Sequence, residues 1–141
     1  MLVKRLENGE FYSITLRKIY KKYHDIDIGM YSYRGCFRLG YIPPGTSIGR
    51  YGSFANFTIF PRNHPHNHIS THPFFYNSKL GYVDKDVVPY KKIKIGHDVW
   101  IGENAFLMPN VSEIGNGSMQ IPVFSKIGFI NPVPGKIFDQ Y

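Results

Sequence analysis

Apolar residues recur at helical spacing near the start of the chain and at a spacing of six from Ile28 onward. The first pattern predicts a helix over 10–23. Tyr12, Leu16, Ile19, Tyr20 and Tyr23 fall on one face, while Arg17, Lys18, Lys21 and Lys22 are polar. Asn8-Gly9 supplies a start. The stripe reads as packing, and the helix as a cap on one end of a strand stack, because an open stack exposes its pairing groups.

The second pattern is a repeat. Ile28 is followed four residues on by Ser32, Ile42 by Thr46, Ile48 by Gly52 and Phe54 by Thr58; later Ile95 is followed by Val99, Ile101 by Ala105 and Leu107 by Val111. Position two is small in five of these seven units: Gly29, Gly49, Ala55, Gly96 and Gly102. Six residues suit a short strand and a sharp corner. Three such units make a triangular coil of about 18 residues. The bulky residue points inward, the small one at position five lets the next side pass, and glycine tolerates an unusual φ at the corner. Coils stack by parallel pairing at ~4.8 Å. An ordinary β-sandwich with accidental periodicity is the plainer alternative, but it gives no reason for the small residue at position five.

The register divides one domain into a helix (10–23), coils (28–59), an excursion (61–92), further coils (93–132) and a tail (133–141). The excursion is rich in His, Pro, Phe and Tyr, and long departures from a regular scaffold commonly carry function. Past Ser112 the register persists through Ile114, Ile121 and Ile127 with an extra residue at Glu113 and at Gln120.

Composition narrows the classes. Hydrophobic residues at 43% and charged residues at 19% suit a folded domain, and 11 Tyr, 11 Phe, 14 Gly and 10 Pro favour strands and turns over long helices. The net charge is +7, which fits nucleic acid, an anionic membrane face or a small polyanion. No RNP motif, helix-turn-helix pattern or zinc-finger spacing is present, so nucleic acid is not expected. The basic helix allows peripheral contact with an anionic membrane. Cys36, the single cysteine, excludes an internal disulfide and fits a reducing compartment. The opening MLVKRLENGE has no signal-like apolar run, so a cytoplasmic location is expected.

The run Ile95-Gly96-His97-Asp98-Val99-Trp100-Ile101-Gly102-Glu103-Asn104-Ala105 resembles the signature of hexapeptide-repeat acyltransferases. Asn63-His64-Pro65 and Ser70-Thr71-His72-Pro73-Phe74-Phe75-Tyr76 look like the active-site loop of the branch that acetylates xenobiotics and capsular polysaccharides. Val133-Pro134-Gly135-Lys136-Ile137 is similar to the family's C-terminal turn, and Ser125-Lys126 stands for the Thr-Lys pair before it. The stretch between those two motifs is shorter than in relatives, Asp139 stands where a basic residue is common, and the usual Gly-Ala-Gly-Ser is missing. The resemblance covers about residues 18–112 well and the C-terminal 29 residues poorly.

The resemblance implies an all-β, left-handed parallel β-helix of about four coils. It implies an O-acetyltransferase that takes acetyl from acetyl-CoA to a hydroxyl of a sugar or surface-polysaccharide precursor, with no metal. His64 would be the general base, and Asn63 and Trp100 would contact the acceptor. Gly102 and Glu103 would approach the thioester and pantetheine arm, and Ser125, Lys126 and Lys136 would meet the phosphates. Relatives associate as trimers, so a homotrimer is expected, with His64 reaching toward Trp100 of the partner subunit. The chemistry suits the residue type. A hydroxyl must lose its proton as it attacks a thioester, and imidazole with a pKa near ~6.5 accepts that proton near neutrality, typically worth ~10²–10⁴-fold. Cys36 is far in sequence from His64, so direct transfer is preferred to a covalent intermediate.

Two rivals remain. His64, His66 and His68 alternate and invite a metal reading of the γ-class carbonic anhydrase kind, but they sit beside prolines in an excursion rather than on successive coils. A non-catalytic scaffold binding an anionic polymer would explain the departures at the C-terminus.

Overall fold

The computed structural model describes residues 5–121. A helix, α1, spans Ile14–His24, later at both ends than the sequence pattern suggests. Its start is set by Ser13, whose Oγ accepts the Leu16 N–H at 3.1 Å. Glu7 in turn accepts from Ser13 Oγ at 2.6 Å and from the Thr15 N–H at 3.1 Å. The helix ends where Asp25 turns left-handed at φ 52°, with Lys21, Lys22 and His24 in the last turn, where cations suit the helix dipole.

The buried stripe of α1 also differs from the predicted one. Leu16, Arg17 and Tyr20 are buried, whereas Tyr12 and Tyr23 are exposed. Arg17, counted among the polar positions of the helix rather than its packing face, is a clamp. Its guanidinium donates to the carbonyls of Gly29 at 3.0 Å, Glu10 at 2.7 Å, Ser13 at 2.9 Å and Ser32 at 3.0 Å. The Tyr20 hydroxyl donates to the Phe37 carbonyl. These bonds fasten α1 to the first strands.

Among the described residues ten short strands succeed the helix: β1 (Asp27–Ile28), β2 (Tyr33–Arg34), β3 (Ser47–Ile48), β4 (Ser53–Phe54), β5 (Phe57–Ile59), β6 (Lys94–Ile95), β7 (Trp100–Ile101), β8 (Ala105–Leu107), β9 (Glu113–Ile114) and β10 (Met119–Gln120). All pairing among these strands is parallel. One sheet runs β1-β3-β6-β9, a second β10-β7-β4-β2, and the third holds only β5-β8. In the first sheet Ile28, Ile48, Ile95 and Ile114 stand in one register column, all buried. In the second, Phe54 and Ile101 pair and are fully covered. These columns, with Phe57, Ile59, Val99 and Leu107, make the core.

The expected all-β, left-handed β-helix of about four coils is corrected by this arrangement. Helix takes 16% of the described residues and strand 19%, and the strands form three sheets of unequal size. The cause lies in the corners. A period of six reports which side chains face inward, but each side keeps only two or three residues in strand pairing because corners use the rest. The third side is missing after β2, where the chain enters a 3₁₀ turn, Gly35–Phe37. The predicted coils 28–59 correspond to β1–β5. Those of 93–132 are seen only as β6–β10, and the tail 133–141 lies outside the described residues.

The glycines at position two do a different job from the one expected. A Cβ on Gly29 would come within 2.5 Å of the Gly49 backbone, and one on Gly49 within 2.4 Å of the Gly96 carbonyl oxygen. They are needed for close stacking. The unusual φ falls instead on Tyr31 (68°), Tyr51 (66°), Asp98 (53°) and Gly117 (66°), one above another at successive corners. The N–H of Tyr51 donates to Met30, that of Asp98 to Arg50 and that of Gly117 to His97, which locks the corner column. Side chains add rungs: His97 Nδ1 accepts the Arg50 N–H at 2.9 Å, and Asn116 Oδ1 accepts the His97 N–H at 2.7 Å. Among the described residues no helix is long and apolar enough to cross a membrane.

Candidate functional site

The excursion between β5 and β6 leaves and rejoins the stack at a closed neck, where the Lys91 N–H donates to the Pro61 carbonyl at 2.9 Å. Closing both ends lowers the freedom of everything between them. Inside, His72 caps the 3₁₀ turn Pro73–Phe75, its Nδ1 accepting the Phe74 N–H at 3.3 Å. The returning segment lies against that turn, with the Tyr82 N–H on the Phe74 carbonyl at 3.1 Å. Tyr76 comes next and is 4% exposed, so a long irregular segment has a buried aromatic of its own.

His64 is exposed on this loop. Its Nδ1 lies 2.8 Å from the Thr71 carbonyl oxygen and 3.1 Å from the Tyr76 hydroxyl, with the two rings edge to face at 5.6 Å. A carbonyl oxygen only accepts, so the short contact puts a proton on Nδ1 and leaves Nε2 with its lone pair. No described residue bonds Nε2. A neutral imidazole held in this tautomer is a proton acceptor at a fixed position.

Around it Arg62 is largely covered, its side chain 18% exposed. The guanidinium sits 5.2 Å from the centre of the Tyr76 ring and 5.8 Å from that of Tyr90. Asp86 lies 3.5 Å from it. The Ser78 N–H and Oγ donate to Asp86 at 2.8 and 2.9 Å and hold its carboxyl below the usual carboxylate range, with Arg62 adding to the effect. Burial raises the Tyr90 phenol above its ordinary value, against the pull of Arg62. Beside the neck a cleft of about 540 Å³ opens between the end of α1 and the loop, and Tyr23, His24, Tyr41, Pro61 and Tyr90 line it.

The other predicted residues are scattered. Asn63 is exposed next to His64. Trp100 is 41% exposed and points outward from β7, in register with Ser53 and Met119. No hydrogen bond or ring contact joins it to His64 among the described residues. The Gly102 N–H, expected near the thioester, already donates to the Gln120 carbonyl at 2.8 Å. Glu103 accepts from the Asn56 N–H at 3.0 Å and Nδ2 at 2.6 Å. Those two bonds hold its carboxyl below the usual range, with smaller help from Arg38 and Arg34. Ser125, Lys126 and Lys136 lie outside the described residues. No three His, Cys, Asp or Glu among the described residues are grouped to hold a metal ion.

Sequence reasoning singled out His64 but not Thr71 as its anchor, nor Tyr76, Arg62 and Asp86 around it. The one available signal was an arginine two residues before the histidine. The remaining contacts cross 7 to 24 residues of irregular chain, where no periodicity applies. Comparison with known protein families, characterised proteins and solved structures finds no match for the chain.

Proposed function

We propose that the protein is an acetyl-CoA-dependent O-acetyltransferase that uses His64 as general base toward a hydroxyl of a sugar or polysaccharide precursor. The observation that carries the reading is the Nδ1 contact to the Thr71 carbonyl, which leaves Nε2 as the basic nitrogen. In the step proposed, the acceptor hydroxyl gives its proton to Nε2 as its oxygen bonds to the acetyl carbon. The carbon–sulfur bond then breaks, and the imidazolium returns the proton to the thiolate. Imidazole chemistry suffices, and no acyl group passes through Cys36, which is buried.

The acceptor class draws support from the cleft at the loop neck. Its tyrosines present flat, partly exposed faces, Tyr41 at 38% and Tyr90 at 45%, of the kind that pack on sugar rings. A homotrimer is proposed with it, since Trp100 and Met119 form an outward row that a neighbouring copy would cover. The test is release of free thiol from acetyl-CoA in the presence of candidate sugar acceptors, corrected for hydrolysis. Wild-type release that needs both acceptor and His64 supports the reading; no acceptor-dependent release, with no calorimetric binding of coenzyme A, ends it.

One observation favours a second reading, a non-catalytic scaffold. The Gly102 amide and both Glu103 oxygens are engaged within the chain. Binding of an anionic polysaccharide without thiol release would select it.

A further inference from the structure

We propose that Arg62 and Asp86 form a positioning pair that fixes the ring and tautomer of His64 through the buried side chain of Tyr76. The catalytic consequence rests on the acetyltransfer reading; the positioning itself does not.

His64 has two partners on one nitrogen, and they make different demands. The Thr71 carbonyl requires a proton on Nδ1, while a hydroxyl can either donate to that nitrogen or accept from it. If the Tyr76 hydroxyl approached Nδ1 as a donor, the proton would move to Nε2 and the imidazole would lose its basic end. The outcome depends on where the Tyr76 ring is held relative to the Thr71 carbonyl.

Tyr76 is held on two sides. Its carbonyl accepts the Val87 N–H at 3.1 Å, which ties it to the segment that carries Asp86. Its ring packs against the Arg62 guanidinium, which also faces Tyr90. A planar guanidinium can lie against rings while its N–H groups point to a carboxylate, which a lysine cannot do. Asp86 supplies that carboxylate and is itself anchored by the Ser78 N–H and Oγ. Both arms of the loop, 24 residues apart at Arg62 and Asp86, are therefore joined across Tyr76. An exposed ion pair would be worth little, but this arginine is mostly covered and its partner is pre-oriented. The chain of contacts runs Ser78, Asp86, Arg62, Tyr76, His64, and only the last member has the chemistry to react.

The experiment is ¹⁵N spectroscopy of the imidazoles in the full chain, comparing wild type with Arg62→Met, Arg62→Lys and Asp86→Asn. In wild type His64 should show protonated Nδ1 and unprotonated Nε2. Arg62→Met and Asp86→Asn should shift it toward the Nε2–H tautomer, with Arg62→Lys between. His97, held at a corner by Arg50 and Asn116, should not move, and it serves as the control for a general change in fold. In transfer assays the same variants should lose roughly tenfold in kcat with little change in acceptor KM, as misorientation predicts. Unchanged His64 shifts in both Arg62→Met and Asp86→Asn overturn the proposal. If Arg62→Met fails to fold by circular dichroism, the Asp86→Asn spectrum decides. Wild type that transfers no acetyl but shows these shifts removes the acetyltransfer reading and leaves the positioning pair standing.

Discussion

The carbonyl oxygen of Thr71 stands 2.8 Å from Nδ1 of His64, seven residues away along the chain. That one contact chooses between two otherwise nearly equal forms of a neutral imidazole, and it makes the exposed loop a place where a proton can be received.

Replacing His64 should separate chemistry from stability. His64→Ala should cut acceptor-dependent thiol release by ~10²–10⁴-fold, the range of a positioned general base. The side chain is exposed, so urea unfolding should shift by no more than about 0.5 kcal/mol. A large loss of stability would mean that the imidazole serves to hold the loop.

Two glycine substitutions distinguish the two uses of glycine. At Gly49 the φ is ordinary but a methyl group would strike the Gly96 carbonyl. At Gly40 the φ is +86° and the surrounding space is open. Gly49→Ala should destabilise by about 2–3 kcal/mol through overpacking, and Gly40→Ala by only about 1 kcal/mol through backbone strain. Equal costs in urea denaturation would contradict the stacking explanation.

Arg17 should be sensitive to removal of its charge and donors together. Arg17→Met keeps the length but leaves the carbonyls of Glu10, Ser13, Gly29 and Ser32 without their donor. Each unmet buried acceptor costs about 1–3 kcal/mol, so unfolding free energy should fall by at least about 2 kcal/mol. Hydrogen exchange should rise first in α1. Exchange that rises evenly over the strands would show that the clamp belongs to the whole stack.

Glu103 predicts an acid-side dependence. Its folded pKa is depressed by the Asn56 N–H and Nδ2, so its contribution to stability is full above the ordinary carboxylate value. It is lost as pH falls through the lower folded value. Wild type and Glu103→Gln should therefore differ most near neutrality, and their urea midpoints should converge in acid. Parallel curves across that window would show that the carboxylate has no preferred role in the fold.

Much of the interior was legible from residues alone. The period of six placed Ile28, Ile48, Ile95 and Ile101 inward, and each is buried. It could not report the fold class. A hydrophobic period records only which way side chains point, and it is silent on how many backbone groups pair, so strands of two and three residues came as a finding. The same limit explains Arg17: its neighbours in sequence are cations, but carbonyls brought from Gly29 and Ser32 decide that it is buried.

Residue order alone settles local matters: the inward positions, the small residue at the second place of most repeats, and a long irregular segment that carries His64. Packing settles relations: the unequal sheets, the left-handed corners at Tyr31 and Tyr51, and the Thr71, Tyr76 and Arg62 surroundings of His64. Steric preference and side-chain direction act between neighbouring residues, and so they can be read along the chain. Tautomer, burial of charge and hydrogen-bond partnership depend on atoms that meet only when distant parts of the chain are packed together.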